Sequence, residues 1–114
     1  MSAEITMEQK RARYEAALAK LAAICEAIPG DNPFDMKKRI MAAVDEFGVV
    51  RSSTALSHLN VRQQCEWRGP KAIVTRGFRH FCEELIADGL PVYMEWRLIK
   101  SNPENEEPCL VLKK

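Results

Sequence analysis

The hydrophobic period of this chain changes from that of a helix to that of a strand at Gly89. Before this glycine, apolar residues recur at steps of four, three and four, as Val74, Phe78, Phe81 and Leu85. This spacing predicts an amphipathic helix over residues 70–88. After the glycine, every second residue is apolar, as Val92, Met94, Trp96 and Leu98, which predicts a strand with one apolar face. A second strand over residues 109–112 would complete a hairpin, joined by an acidic, turn-rich loop over residues 101–107.

The first predicted helix, residues 6–28, carries a single apolar seam. It contains neither glycine nor proline, and Thr6 with Gln9 three positions later forms a capping-box pattern. The seam needs a covering surface, which is either the rest of the same chain or a second copy in a homodimer. About two heptads are too few for an independent coiled coil. The residues of this docking or dimerisation seam are Tyr14, Leu18, Leu21, Cys25 and Ile28.

Between these segments, the sequence predicts two more helices and a minimal strand. A helix over residues 33–47 is expected because Asn32 can cap it and Pro33 suits its first position. Its three consecutive cations, Lys37, Lys38 and Arg39, are expected to face mostly outward. A β-prone pair at 49–50, a short helix from Ser52 or Ser53 to Leu59 and a polar connection over 60–69 follow. The predicted fold is mostly α-helical with a C-terminal β-hairpin.

The charge balance excludes several classes of protein. Seventeen basic and sixteen acidic residues give a net charge of +1, so neither a uniformly basic nucleic-acid coat nor an acidic tail is present. No apolar run approaches the ~20 residues that span a bilayer, so no membrane partner is expected. Residues 1–13 lack the apolar stretch of a secretion signal, which predicts a cytoplasmic chain with reduced thiols.

Residues with catalytic or metal-binding side chains are not grouped in the sequence. The cysteines form no C-x-x-C pair, so we expect buried or incidental thiols rather than zinc ligands or a disulfide. There are two histidines and no glycine-rich phosphate loop, and no nucleophile has a companion base. We therefore expect no enzymatic activity, no metal and no cofactor. The cysteines are Cys25, Cys65, Cys82 and Cys109.

The predicted order of elements over residues 33–114 is helix, short strand, helix, loop, helix, strand, loop and strand. This order resembles the winged helix-turn-helix superfamily. The resemblance is closest over residues 74–90, VTRGFRHFCEELIADGL, which is similar to the third helix of bacterial winged-helix regulators. It implies an N-terminal amphipathic helix over 1–32, used for docking or dimerisation, and a winged-helix-like domain over 33–114. It also implies a small transcription regulator of bacterial, plasmid or phage origin.

The charge pattern around this helix favours double-stranded DNA as the partner. A helix in the major groove needs cationic or hydrogen-bonding groups on its exposed N-terminal half. From Arg62 to His80 there are five basic residues against one acidic residue, a local excess suited to phosphates. The expected DNA-binding residues are Lys71, Thr75, Arg76, Arg79 and His80 on the helix, with Arg62 and Arg68 in the connection before it.

The alternative function is a protein-binding adaptor or inhibitor that uses the same scaffold without binding DNA. The expected hairpin loop carries Glu104, Glu106 and Glu107, which a phosphate backbone would repel. In this alternative, residues 104–107 and the exposed part of the seam would contact a protein partner.

Overall fold

The computed structural model describes residues 6–61, 65–68 and 72–114, with side chains described for residues 6–61 and 77–114. These ranges hold four helices and five strands. The helices are α1 (Met7–Ala27), α2 (Pro33–Phe47), α3 (Ser52–His58) and α4 (Arg76–Ala87). The strands are β1 (Val49–Arg51), β2 (Cys65–Arg68), β3 (Ala72–Thr75), β4 (Val92–Ile99) and β5 (Asn102–Leu112). Strands β1, β5 and β4 form one antiparallel sheet in that order, and β2 and β3 form a separate antiparallel pair.

The boundaries of α1 and α2 follow their capping residues. The backbone N–H of Gln9 donates to Thr6 Oγ1 at 3.1 Å, and the N–H of Thr6 donates to Gln9 Oε1 at 2.9 Å, which confirms the capping box. Asn32 caps α2, and Pro33 occupies its first turn as predicted. Gly48 ends α2 with a φ of 80°, a left-handed conformation that residues with a side chain rarely adopt.

The hairpin formed by β4 and β5 is longer than the sequence indicates. Only the turn Lys100–Ser101 separates the two strands. The prediction of an acidic loop over 101–107 is therefore wrong. The strand extends because β5 pairs with β4 over most of its length and buries Asn105 and Glu107, each 2% exposed. Such tertiary contacts outweigh the low strand propensity of Asn, Pro and Glu.

Residues 72–75 form a strand rather than the first turn of a helix. The predicted helix start at residue 70 and the predicted polar connection over 60–69 are both wrong, because β2 and β3 pair along their whole length. The run Ile73-Val74-Thr75 is β-branched at every position, which favours the extended conformation over the helical one. Helix α4 begins only at Arg76.

The core lies between α2, α3, α4 and one face of the three-stranded sheet. From α1 only Leu21 is buried, and its neighbours on the same side pack against the core while partly exposed. All residues from Thr6 to Ala16 are exposed, so α1 docks through its second half. The buried core residues are Leu21, Met36, Ile40, Ala43, Val44, Val50, Ala55, Leu59, Val61, Phe78, Phe81, Cys82, Leu85, Val92 and Leu110.

Candidate nucleic-acid interface

Helix α4 is anchored by a buried apolar face. Phe78 and Cys82 are fully buried and Leu85 is 5% exposed, so the helical stripe predicted from the sequence is confirmed from Phe78 onward. On the remaining surface of the helix, His80 is exposed and Arg79 is half-buried. The helix thus keeps polar groups of its first turns at the surface while its other side fixes its position in the core.

Glu84 offsets part of the positive charge at α4. One of its carboxylate oxygens lies 3.1 Å from His80 Nε2, one turn earlier on the helix. The other oxygen lies 3.3 Å from Lys37 Nζ on α2. Contacts of this kind near the protein surface contribute only about 0–1 kcal/mol, so a phosphate group can compete with Glu84 for Lys37 or His80. Lys37 therefore borders the surface of α4, a position that sequence spacing alone did not indicate.

The other expected DNA-binding residues are distributed along the β2–β3 hairpin and its flanks. Thr75 ends β3, so the prediction that it lies on the helix is wrong, and Arg76 is the first residue of α4. Arg68 ends β2 and pairs with Ala72, at the opposite end of the strand pair from Thr75. The fold thus groups Arg76, Arg79 and His80 at the start of α4 and separates Arg68 from them. Two of the expected residues, Arg62 and Lys71, lie outside the described residues.

The tip of the β4–β5 hairpin is basic rather than acidic. Lys100 is exposed at the turn. Glu107 lies seven residues further along the chain and is only 2% exposed. The expected protein-binding surface over residues 104–107 is therefore wrong at Glu107, although Glu104 is exposed and Glu106 half-exposed. The charge repulsion expected between this tip and a phosphate backbone is correspondingly smaller.

Glu107 caps helix α3 from a distant strand. Its Oε1 accepts hydrogen bonds from the Ser53 backbone N–H at 2.8 Å and from Ser52 Oγ at 3.1 Å. Its Oε2 accepts from Arg51 Nη1 at 3.1 Å. The expected cap by Ser52 or Ser53 is not formed, because the N-cap residue is Arg51 and it makes no side-chain cap bond. A carboxylate at a helix N-terminus is favourable, so the hairpin stabilises α3.

Arg39 joins the ends of two helices inside the protein. It is 1% exposed, so the expectation that it faces outward is wrong. Its Nε donates to the Leu59 carbonyl at 2.6 Å, and its Nη1 donates to the carbonyls of Ile28 at 2.7 Å and Gly30 at 2.6 Å. Nη2 donates to the Asn60 carbonyl at 3.2 Å. The carbonyls belong to the C-terminal ends of α1 and α3, where the helix dipole favours a cation.

The seam of α1 is divided between two environments. Leu21 is 6% exposed and belongs to the core of the same chain, whereas Tyr14 is 61% exposed. Leu18, Cys25 and Ile28 are partly exposed, and Cys25 Sγ donates to the His58 carbonyl at 3.2 Å. Docking within the chain thus applies to the second half of the seam, and the dimerisation prediction concerns the half around Tyr14.

An apolar groove of about 330 Å³ opens beside this helix. Tyr14, Leu18 and Leu21 form one wall, and Phe47 and Val50 lie on the opposite side. Phe47 is 36% exposed, so the groove presents apolar surface at both of its walls. The groove is therefore relevant to the alternative function, in which the chain binds a protein partner.

The described ranges hold no cluster of metal-ligating residues, and the thiols of Cys82 and Cys109 are buried. No group of three or more potential ligands among His, Cys, Asp and Glu comes together there. Burial raises the pKa of the Cys109 thiol to about 11 and raises the pKa of Cys82 further above its usual range. Both thiols are therefore protonated at neutral pH. Of the helices in the described segments, none is long and apolar enough to cross a lipid bilayer.

Comparisons with known proteins add no relative. No family model, no curated protein and no solved structure matches this chain. The function therefore has to be argued from the residues and their geometry.

Proposed function

We propose that this chain is a DNA-binding protein of the winged helix-turn-helix type, with α4 in the major groove and the β4–β5 hairpin as the wing. The order α2, β1, α3, α4 and hairpin supports this architecture. Strand β1 pairs with β5 and thereby ties the hairpin to the helices. The β2–β3 hairpin is an addition between α3 and α4.

The contrast between the two sides of α4 carries the proposal. Phe78, Cys82 and Leu85 hold one side in the core. Arg79 and His80 lie on the rest of the helix, and the basic segment that begins at Arg62 leads into it. The major groove is about 12 Å wide and admits a helix that presents such groups.

Each cation has a distinct role in this proposal. Arg76 and Arg79 contact guanine edges or phosphates from the first turn of α4. His80 and Lys37 release Glu84 and contact phosphate oxygens in its place. Lys100 contacts the DNA backbone from the hairpin tip. Since the net charge is only +1, binding depends on this local group of cations rather than on the whole surface.

The test is a salt titration of binding to a mixed-sequence DNA duplex. We expect affinity to fall steeply between about 50 mM and about 200 mM salt. The double variant Arg76→Ala with Arg79→Ala should reduce the salt slope by about 2, roughly one for each arginine that no longer binds a phosphate. The matched control is Arg11→Ala with Arg13→Ala, which removes the same charge from the exposed half of α1.

Two results would contradict DNA binding by α4. One is the absence of binding at low salt by a chain that is folded by circular dichroism. The other is an equal change of slope in both double variants, which would assign the effect to net charge and not to α4.

A second candidate function is a protein-binding adaptor or inhibitor. It is supported by the apolar groove beside α1, in which Tyr14 and Phe47 expose aromatic surface. Folded protein that does not bind the duplex at about 50 mM salt would favour this candidate over the first.

A further inference from the structure

The apolar groove beside α1 keeps aromatic surface exposed at both of its walls. Tyr14 is 61% exposed at one wall and Phe47 is 36% exposed at the other. The apolar face of α1 continues from Tyr14 to Met7, two turns earlier, which is 79% exposed. Single apolar residues are ordinary on a protein surface, whereas a groove bordered by several of them is typical of a contact site. This surface therefore indicates a partner.

The charged side chains that line this groove in the described segments are basic. They are Arg51 of β1 and Lys100 of the β4–β5 turn, and His58 also lines the groove. Arg51 Nη1 lies 3.1 Å from Glu107 Oε2, so the charge of Arg51 is largely balanced within the chain. The positive charge of the groove therefore comes mainly from Lys100, which is exposed at the turn.

Helix α1 adds positive charge along the same surface. Lys10 and Arg11 are exposed on the turn before Tyr14, and residues 6–16 carry three basic against two acidic residues. If a second copy of the chain inserted this exposed part of α1 into the groove, a positive segment would meet positive charge, which is repulsive. Charge therefore favours a partner whose apolar residues are flanked by carboxylates.

The walls of the groove favour a helical partner over an extended one. An extended segment binds by adding to the edge of a strand, and β1, the strand that lines the groove, has three residues. Helix α1 forms the other wall, and a partner helix can pack along it at about 8–10 Å with apolar side chains at steps of three and four. The apolar face of α1 from Met7 to Leu21 is about 21 Å long, which corresponds to about four turns of a partner helix.

We infer that this groove binds an amphipathic helix of another protein, in which acidic residues flank the apolar face. The apolar side chains of the partner pack against Tyr14 and Phe47 at the two walls. Its carboxylates face Lys100 on the side of the hairpin and Lys10 on the side of α1. This inference develops the second candidate function, the protein-binding adaptor, and does not depend on DNA binding.

Two fluorescent peptides test the charge of the partner. Both have about four helical turns and the same leucine face at i, i+3, i+4 and i+7, and the flanks of this face are either glutamate or lysine. Anisotropy is measured with the full chain at about 50 mM salt and without DNA. We expect the glutamate peptide to bind at least about tenfold more tightly than the lysine peptide.

The peptide results separate this inference from the two candidate functions. Equal binding of both peptides, or tighter binding of the lysine peptide, would overturn the acidic partner and leave the adaptor function in place. If neither peptide binds at about 1 mM, the inference fails as a whole. Neither result affects the test of DNA binding, which uses a duplex and no peptide.

Aromatic variants test whether the peptide lies in the groove. Tyr14→Ala removes a ring from one wall and should weaken binding of the glutamate peptide at least about tenfold. Phe34→Ala is the matched control, because it removes a ring of nearly equal exposure, 62% against 61%, from the first turn of α2 outside the groove. We expect this control to bind as the native chain does. Equal losses in the two variants would refute the groove as the site.

Charge variants test the contact with the hairpin turn. Lys100→Glu should weaken the glutamate peptide about fivefold and strengthen the lysine peptide. Lys38→Glu changes the net charge by the same amount at an exposed position outside the groove, and it should change binding of either peptide by less than about twofold. The same effect in both variants would assign the preference to net charge and would contradict a contact at Lys100.

Light scattering tests a second copy as the occupant. A dimer that dissociates in Tyr14→Ala but persists in Phe34→Ala would place a second copy in the groove and overturn the inference. A native chain that shows no such dimer, and that binds the glutamate peptide through Tyr14 and Lys100, supports the acidic helical partner.

Discussion

The buried guanidinium of Arg39 is held by hydrogen bonds to backbone carbonyl groups, and no carboxylate pairs with it among the described residues. Its hydrogen bonds reach the last carbonyls of α1 and α3 and the segments that follow them. Because those carbonyls lie at helix C-termini, they carry partial negative charge and lack partners within their own helices. Arg39 thus stabilises two helix ends at once, which explains why a cation is placed at a 1% exposed position.

Replacement of Arg39 should therefore be costly. We expect Arg39→Ala to lower the free energy of unfolding by about 3 kcal/mol, because it leaves buried carbonyls without donors and creates a cavity. Urea denaturation followed by circular dichroism measures this difference. The neighbouring exposed cation provides the control, since Lys38→Ala should change stability by less than about 0.5 kcal/mol. Equal effects of the two substitutions would show that the carbonyl contacts contribute nothing.

The two buried thiols give stability a dependence on alkaline pH. Burial raises the pKa of Cys109 in the folded chain from 9.0 to about 11 and raises that of Cys82 as well. The folded state therefore binds these protons more tightly than the unfolded state. The stabilisation is complete below pH 9.0 and is lost as the pH rises toward about 11.

Thermal unfolding at about pH 8 and about pH 10.5 tests this linkage. We expect the melting temperature of the native chain to fall between these values by more than that of Cys109→Ala, in which one of the two protons is absent. Cys25→Ala keeps both buried thiols and should behave as the native chain does. A decrease of equal size in native chain and Cys109→Ala would contradict the predicted role of the thiol.

At the scale of elements, α1 consists of a docked half and an exposed half. Leu21 contacts the core at 6% exposure, and Tyr14, two turns earlier on the same seam, is 61% exposed. We expect Leu21→Ala to destabilise the chain by about 2–4 kcal/mol and Tyr14→Ala by less than about 0.5 kcal/mol, measured by urea denaturation of dilute protein. A large effect of Tyr14→Ala at low concentration would mean that the first half of the helix is also packed within the chain.

The accuracy of the sequence interpretation also varies from element to element. Helix α2 and strand β4 were predicted nearly to the residue, because hydrophobic period and caps are local signals. The β2–β3 pair was missed because these two short strands are determined by their pairing with each other and not by a period of apolar residues in the sequence. In β5, Asn105 and Glu107 are residue types that favour loops. They lie in a strand because tertiary contacts bury them, and such contacts outweigh their low strand propensity.

At the scale of the whole molecule, the positions of the expected DNA-binding residues were predicted less well than the order of the helices. Arg76, Arg79 and His80 do lie at the start of one helix, since neighbours in sequence stay neighbours on a helical turn. The position of Lys37 beside α4 and that of Lys100 at a hairpin turn depend on which elements pack or pair with each other, and no local pattern encodes that.

The contact between Glu107 and the start of α3 has a mechanical consequence. A hairpin that is attached to a protein only through the bases of its two strands can bend about that attachment. Here, bending β5 away from the body would withdraw the carboxylate from Ser52 and Ser53 and unwind the first turn of α3. We therefore expect the hairpin and α3 to move together, so that a displacement of the Lys100 turn also displaces the start of α3.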